Sequence, residues 1–163
     1  MKHPITEKEA LLKLAALCSR AEHCSWDLIQ KMVKWQLNPD ARMRVLARLI
    51  DGKYVDDARF VRFFINDKVK YNHWGRRKVE QALWAKHIER DVYQPILDEM
   101  EEADYADVLR PLLAAKRKTV KASNDYELKM KLIRFALGRG FTMDVISRCI
   151  DGAEDLEEEC DGY

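Results

Sequence analysis

The chain has 163 residues, 35% of them charged yet nearly balanced at +1, with only 6 glycines and 4 prolines. That length suits one domain or a short repeat array, and the scarcity of Gly and Pro points to long helices with few loops. No run approaches the ~18 apolar residues of a membrane span. Met1-Lys2-His3-Pro4 leads straight into a polar helix start rather than an export signal, so a cytoplasmic protein is expected.

In chain order, Thr6-Glu7-Lys8-Glu9 has the form of a capping box, and the helix it starts carries Leu11, Leu12, Ala15 and Ala16 to Cys18. Ser25 is the expected cap of a second helix with Leu28, Met32, Val33 and Trp35 along it. Asn38-Pro39 reads as N-cap plus proline at the first helical position, and Val45, Leu46, Leu49 and Ile50 line a third helix ended by Asp51-Gly52. Asp56 or Asp57 can cap the fourth, where Phe60, Phe63, Phe64 and Val69 recur at helical spacing. Tyr71-Asn72-His73-Trp74-Gly75 breaks the pattern, and Gly75 can take a positive φ. A fifth helix comes next, with Val79, Leu83 and Trp84 as apolar positions and Ile88 just after it. Its first turn, Arg76-Arg77-Lys78, is odd, because cations there oppose the helix macrodipole; a role facing a partner is expected for them. Trp26, Trp35 and Trp84 fall on helical stripes and are expected in the core. Trp74 is either a stacking contact or a plug holding its loop onto its own module.

The stretch from Tyr54 to Ile88 resembles the RecX family, regulatory proteins of the bacterial RecA recombinase. The family's middle repeat carries an aspartate pair, an aromatic, and a G-x-R-[RK]-[IV]-x-x-x-L-x-x-K-G-[IV] run. Here these are Asp56-Asp57-Ala58-Arg59-Phe60, then Gly75-Arg76-Arg77-Lys78-Val79, Leu83 and Lys86-His87-Ile88. His87 stands in place of the usual glycine, so that helix must end without a glycine cap; histidine tolerates the left-handed region better than most residues.

The sequence also matches itself. Leu28, Met32 and Leu37 fall on Val79, Leu83 and Ile88 at an offset of 51, and those fall on Leu132, Ala136 and Phe141 at an offset of 53. An all-α fold of three tandem three-helix repeats is expected, over residues 6–55, 56–103 and 104–152, forming an elongated, curved array; an acidic tail at 153–163 is expected to be disordered. Charge is zoned: Arg59 to Arg90 holds nine basic and three acidic residues, and Arg110 to Arg139 nine basic and two acidic. Between and after them, Asp98 to Asp107 has six acidic and no basic residues, and Asp151 to Asp161 seven and none.

Four cysteines, Cys18, Cys24, Cys149 and Cys160, match no zinc spacing and are expected as reduced thiols. Cys18-x4-His23-Cys24 invites a metal reading, but partner ligands at matched spacing are missing. The four histidines are scattered, and neither a nucleophile elbow nor a phosphate loop occurs. No catalytic residue, metal, cofactor, membrane or small-molecule substrate is expected, and a monomer is. The resemblance implies a non-enzymatic inhibitor that lies along the groove of the RecA–DNA filament. It would limit strand exchange, ATP hydrolysis and co-protease activity, with a part in homologous recombination, DNA repair and the SOS response. Charge density and the motif select Lys70, Trp74, Arg76, Arg77, Lys78, Lys116, Arg117, Lys118 and Lys121 as partner contacts, to recombinase carboxylates or DNA phosphate. Asp56, Asp57, Phe60, Gly75, Val79, Leu83 and Ile88 are selected as structural. The alternative is a helical protein that binds DNA or RNA directly; weak single- or double-stranded DNA binding is compatible with both.

Overall fold

The computed structural model describes residues 4–150, so the acidic tail expected at 153–163 lies outside the described residues. Within them the chain forms nine helices and no strand: α1 (Glu7–Arg20), α2 (Ser25–Lys34), α3 (Pro39–Asp51), α4 (Asp57–Lys70), α5 (Arg76–Ala85), α6 (Arg90–Leu97), α7 (Glu102–Arg117), α8 (Asp125–Gly138) and α9 (Met143–Cys149). They succeed one another as three trios, α1–α3, α4–α6 and α7–α9.

The starts are set by side chains that satisfy exposed backbone donors. Thr6 accepts from the Glu9 N–H at 3.1 Å and Asn38 from the Ala41 N–H at 2.9 Å. Asp56 accepts from the Arg59 N–H at 3.0 Å and so caps α4. Its neighbour Asp57 does something else: its carboxylate accepts the Ser25 N–H at 2.7 Å and caps α2 from 32 residues away. Ser25 is thus the first residue of α2, not its cap; Cys24 holds the N-cap position.

Four helix ends share one geometry, at Gln36, Lys53, His87 and Gly140, and three of them stand at the repeat offsets. Gln36, His87 and Gly140 have φ of 60°, 56° and 94°. The N–H one residue further on closes the turn each time: Leu37 to the Met32 carbonyl, Ile88 to Leu83, and Phe141 to Ala136. This is the left-handed C-cap that usually falls to glycine, and it recurs at the offsets of the apolar matches. Leu28, Val79 and Leu132 are buried at equivalent places, as are Met32, Leu83 and Ala136. The repeats are therefore backbone-equivalent as well as pattern-equivalent.

By contacts the chain divides into two compact units, residues 4–63 with 83–93 and residues 64–82 with 94–150, and the division runs through α4, α5 and α6. The first unit is built on a core that includes Ala10, Leu14, Leu28, Met32, Val45 and Leu49, with α3 packed on α1 and α2. In the second, α7 packs on α8 and α9, and Leu109, Leu132, Ile133, Phe141 and Ile146 are buried.

Several stripe assignments change. Trp84, expected in the core, is 73% exposed, and Phe63 is 62% exposed. Leu12, Val33 and Ile50 also face outward. Val33, Ile50 and Trp84 each follow a buried residue on their helix, Met32, Leu49 and Leu83, and a stripe one residue wider than the real interface takes in both. Trp26 and Trp35 are half-buried.

Candidate functional site

The family-like stretch is where the chain makes its most specific long-range contacts, and these recur in both units. In the second unit, the start of α5 meets the end of α8. The Gly75 N–H donates to the Arg139 carbonyl at 2.8 Å, and the Arg77 N–H to the Gly140 carbonyl at 3.0 Å. Gly75 is required here, but not for a positive φ as the sequence suggested; the left-handed residue in its loop is His73, at φ 56°. Gly75 is needed for contact distance: a Cβ on it would lie 2.2 Å from the Phe141 nitrogen and 2.3 Å from the Gly140 carbonyl carbon. This meeting also accounts for the basic first turn of α5. The carbonyl end of α8 is the negative pole of its dipole, so Arg76-Arg77-Lys78 sit where cations are favoured.

In the first unit, the start of α2 meets the end of α5 at the corresponding positions, but through side chains. Lys86 Nζ lies 3.0 Å from an Asp27 oxygen and 5.7 Å above the Phe60 ring, while His87 stacks on Trp26 with ring centroids 5.2 Å apart. Arg59 completes the belt through Glu22 at 2.8 Å. Cys24 is fully buried beside this belt, and burial pushes its thiol pKa up to about 12, which makes it an inert core residue.

The nine expected partner contacts all fall in the second unit. Four of them are engaged at home. Arg76 pairs with Asp98 at 2.6 Å, and its hydrogen bond holds the Asp98 carboxyl below the usual carboxylate range. Trp74 is half-buried, edge-on to Phe64 at 6.4 Å, with Lys68 at 5.2 Å and Lys78 at 4.7 Å from its ring centre. With its N–H bonded to the Lys68 carbonyl, Trp74 secures its loop onto its own unit. Lys116, half-buried, lies 5.0 Å from the Phe135 ring centre.

The other five, Lys70, Arg77, Arg117, Lys118 and Lys121, are exposed, and their side chains form no ion pair with another described residue. Lys70 and His73 stand at the edge of an open groove floored by Val108, Pro111 and Leu112. Arg117 and Lys118 line a second groove, together with Arg110. Charge density along the sequence does not single out Arg110, yet residues 110, 117 and 118 are seven and eight apart and share a helix face. Of the structural residues, Phe60, Val79, Leu83 and Ile88 are buried. Among the described residues no three His, Cys, Asp or Glu side chains are grouped to hold a metal ion, and no helix is long and apolar enough to cross a membrane.

Helices in three equivalent trios, tied by their ends, define an all-helical tandem-repeat protein. Comparison with known proteins makes the class particular. The model of the second three-helix domain of RecX matches residues 56–94 and that of the third matches residues 102–150, together more than half of the chain. Proteins named Regulatory protein RecX are similar along most of its length. The one from Acinetobacter baylyi is 28% identical over 140 residues, covering 86% of this chain and 85% of its own. That from Chlorobium limicola is 25% identical over 156 residues, covering 96% of each. The Finegoldia magna protein is 27% identical, and there the chain spans 59% of the relative's length. The crystal structure of RecX from Lactobacillus salivarius superposes with a TM-score of 0.76 at 14% identity, covering 96% of this chain and 97% of that one. The chain belongs to the RecX family of regulatory proteins.

Proposed function

We propose that this protein is a non-enzymatic modulator of the RecA recombinase. It lies along the groove of the RecA–DNA filament in the cytoplasm as a monomer, and limits strand exchange, ATP hydrolysis and co-protease activity. Its repeats, over residues 6–55, 56–103 and 104–152, meet a polymer that presents the same surface at regular intervals. Weak contacts made by tethered modules multiply into a firm grip.

The observation that carries this reading is the set of exposed cations Lys70, Arg77, Arg117, Lys118 and Lys121 in one unit of a RecX-family chain, without an ion-pair partner among the described residues. They are the charges available to recombinase carboxylates or to phosphate in the groove. Arg76 and Lys78 have work inside the fold, so the informative variant is Arg77→Glu, Arg117→Glu, Lys118→Glu. It should fold as the parent does and suppress RecA ATP turnover at least about tenfold less effectively, as expected when complementary rim charges are reversed. Full suppression by a folded variant would remove these residues from the site.

The same exposed cations favour a second reading, direct action on DNA or RNA. That reading expects tight binding to bare nucleic acid with a steep salt slope, and indifference to the recombinase.

A further inference from the structure

Helix α7 carries two apolar stripes, and only one of them is buried. Tyr105, Ala106, Leu109 and Leu113 are covered within their own unit. Val108, Pro111, Leu112 and Ala115 lie on another face, at the i, i+3, i+4, i+7 spacing of one side of a helix. Val108 and Leu112 are half-buried, and Pro111 and Ala115 are exposed. These four line the groove at whose edge Lys70 and His73 stand, around a volume of about 370 Å³. That is room for a large side chain, at the small end of ligand clefts.

The edge of this groove is tied to the fold. Trp74, one residue after His73, donates its N–H to the Lys68 carbonyl at 3.0 Å and meets Phe64 edge-on, so the loop carrying His73 is held without any partner. Lys70 is exposed and forms no ion pair with another described residue. Asp107, the acid in the wall, is paired with Arg110 at 3.1 Å. The groove therefore offers an aliphatic floor beside an unpaired cation.

We infer that this groove takes a short acidic segment of a partner protein, seating one large apolar side chain on Val108 and Leu112 and a flanking carboxylate on Lys70. Charge complementarity selects the acid. The floor selects its apolar neighbour, as a buried anchor ringed by polar contacts does at protein interfaces. A nucleic acid fits less well: the floor has no aromatic ring on which a base could stack, and a single lysine is no track for successive phosphates. That the partner is a recombinase subunit rests on the proposed function; the groove's choice of ligand does not.

The probe is a capped pentapeptide with phenylalanine between two pairs of glutamates, titrated into the full chain to millimolar concentration and followed by methyl and amide NMR. It should shift the signals of Val108, Leu112 and Lys70 together. Alanine at its centre, or glutamine for its glutamates, should weaken binding about tenfold. Lys70→Glu, a change at an exposed side chain, should also cost about tenfold and make the lysine version of the peptide the better ligand. A lysine with only a structural role would not invert that preference. Ala115→Glu, likewise at an exposed position, should weaken the acidic peptide by repulsion. No shift at Val108 and Leu112, shifts that survive Lys70→Glu, a central alanine that costs nothing, or the same shifts on concentrating the chain alone would overturn the inference. So would an oligothymidylate that shifts these residues where the peptide does not. In co-sedimentation, Lys70→Glu should lower affinity for preformed RecA filaments about tenfold. A parent that binds the peptide but ignores filaments would refute the proposed function and leave the groove standing. A parent that pellets with filaments while its groove ignores every peptide would overturn the groove and leave the function standing.

Discussion

Replacing Gly75 by alanine tests the contact between the start of α5 and the end of α8. The added methyl would sit 2.2–2.5 Å from backbone atoms of Gly140 and Phe141, which cannot rotate away as a side-chain tip can. Relief requires the helix ends to part, which strains both hydrogen bonds of the contact, Gly75 to Arg139 and Arg77 to Gly140. Two bonds at about 1 kcal/mol each and overpacking at about 1–3 kcal/mol give a loss of about 3–5 kcal/mol. Gly138 is the control: it lies in the last turn of α8, and a Cβ added there would meet nothing within 4 Å, so Gly138→Ala should be neutral or stabilising by up to about 1 kcal/mol. Urea unfolding monitored by circular dichroism measures both. A Gly75→Ala midpoint equal to the parent's, or one shifted in step with Gly138→Ala, would refute the close-approach account of this glycine.

Three further outcomes are expected. Gln36 holds φ 60° with an exposed side chain, so Gln36→Gly should stabilise by about 0.5–1 kcal/mol in the same unfolding assay; a loss would show that the left-handed turn is not strained. Lys86→Met breaks the pair with Asp27 in a site where both side chains are less than a third exposed, and should cost about 1–2 kcal/mol; a gain in stability would show that the pair does not hold α5 to α2. The Ser123 hydroxyl and N–H, then Lys131, hold the Glu127 carboxyl down to about 2 from 4.5. Its folded pKa is depressed, so its stabilising contribution is complete above 4.5 and disappears as pH falls from 4.5 towards 2. Carboxyl NMR should show Glu127 still ionised at pH 3, and Ser123→Ala should move its titration upward.

Much of the helical frame was legible because its signals are local. The Thr6 and Asn38 caps, the breaks at Asp51-Gly52 and at Tyr71 to Gly75, and the apolar matches at offsets of 51 and 53 each depend on a few adjacent residues. Histidine at 87 in a left-handed turn was likewise legible from the resemblance. The contacts that tie one trio to the next were not. Asp57 on Ser25, Lys86 on Asp27 and Gly75 on Arg139 join residues 32 to 64 positions apart, and no periodicity encodes which carboxylate caps its own helix and which caps another. The exposed Trp84 escaped for a related reason: a tryptophan adds as much to an apolar stripe whether or not another helix covers it. For the candidate site, charge density located the right helices but could not separate Arg76, already paired with Asp98, from Arg77, which is exposed and has no ion-pair partner among the described residues.

The most direct measurement is co-sedimentation of the full chain with RecA filaments preformed on single-stranded DNA, with nucleotide present and absent, beside the Arg77→Glu, Arg117→Glu, Lys118→Glu variant. The parent should pellet with filaments and the folded variant should stay largely in the supernatant. A parent that remains in solution whatever the nucleotide, or a variant that pellets as well as the parent, would contradict a regulator that grips the filament through these cations.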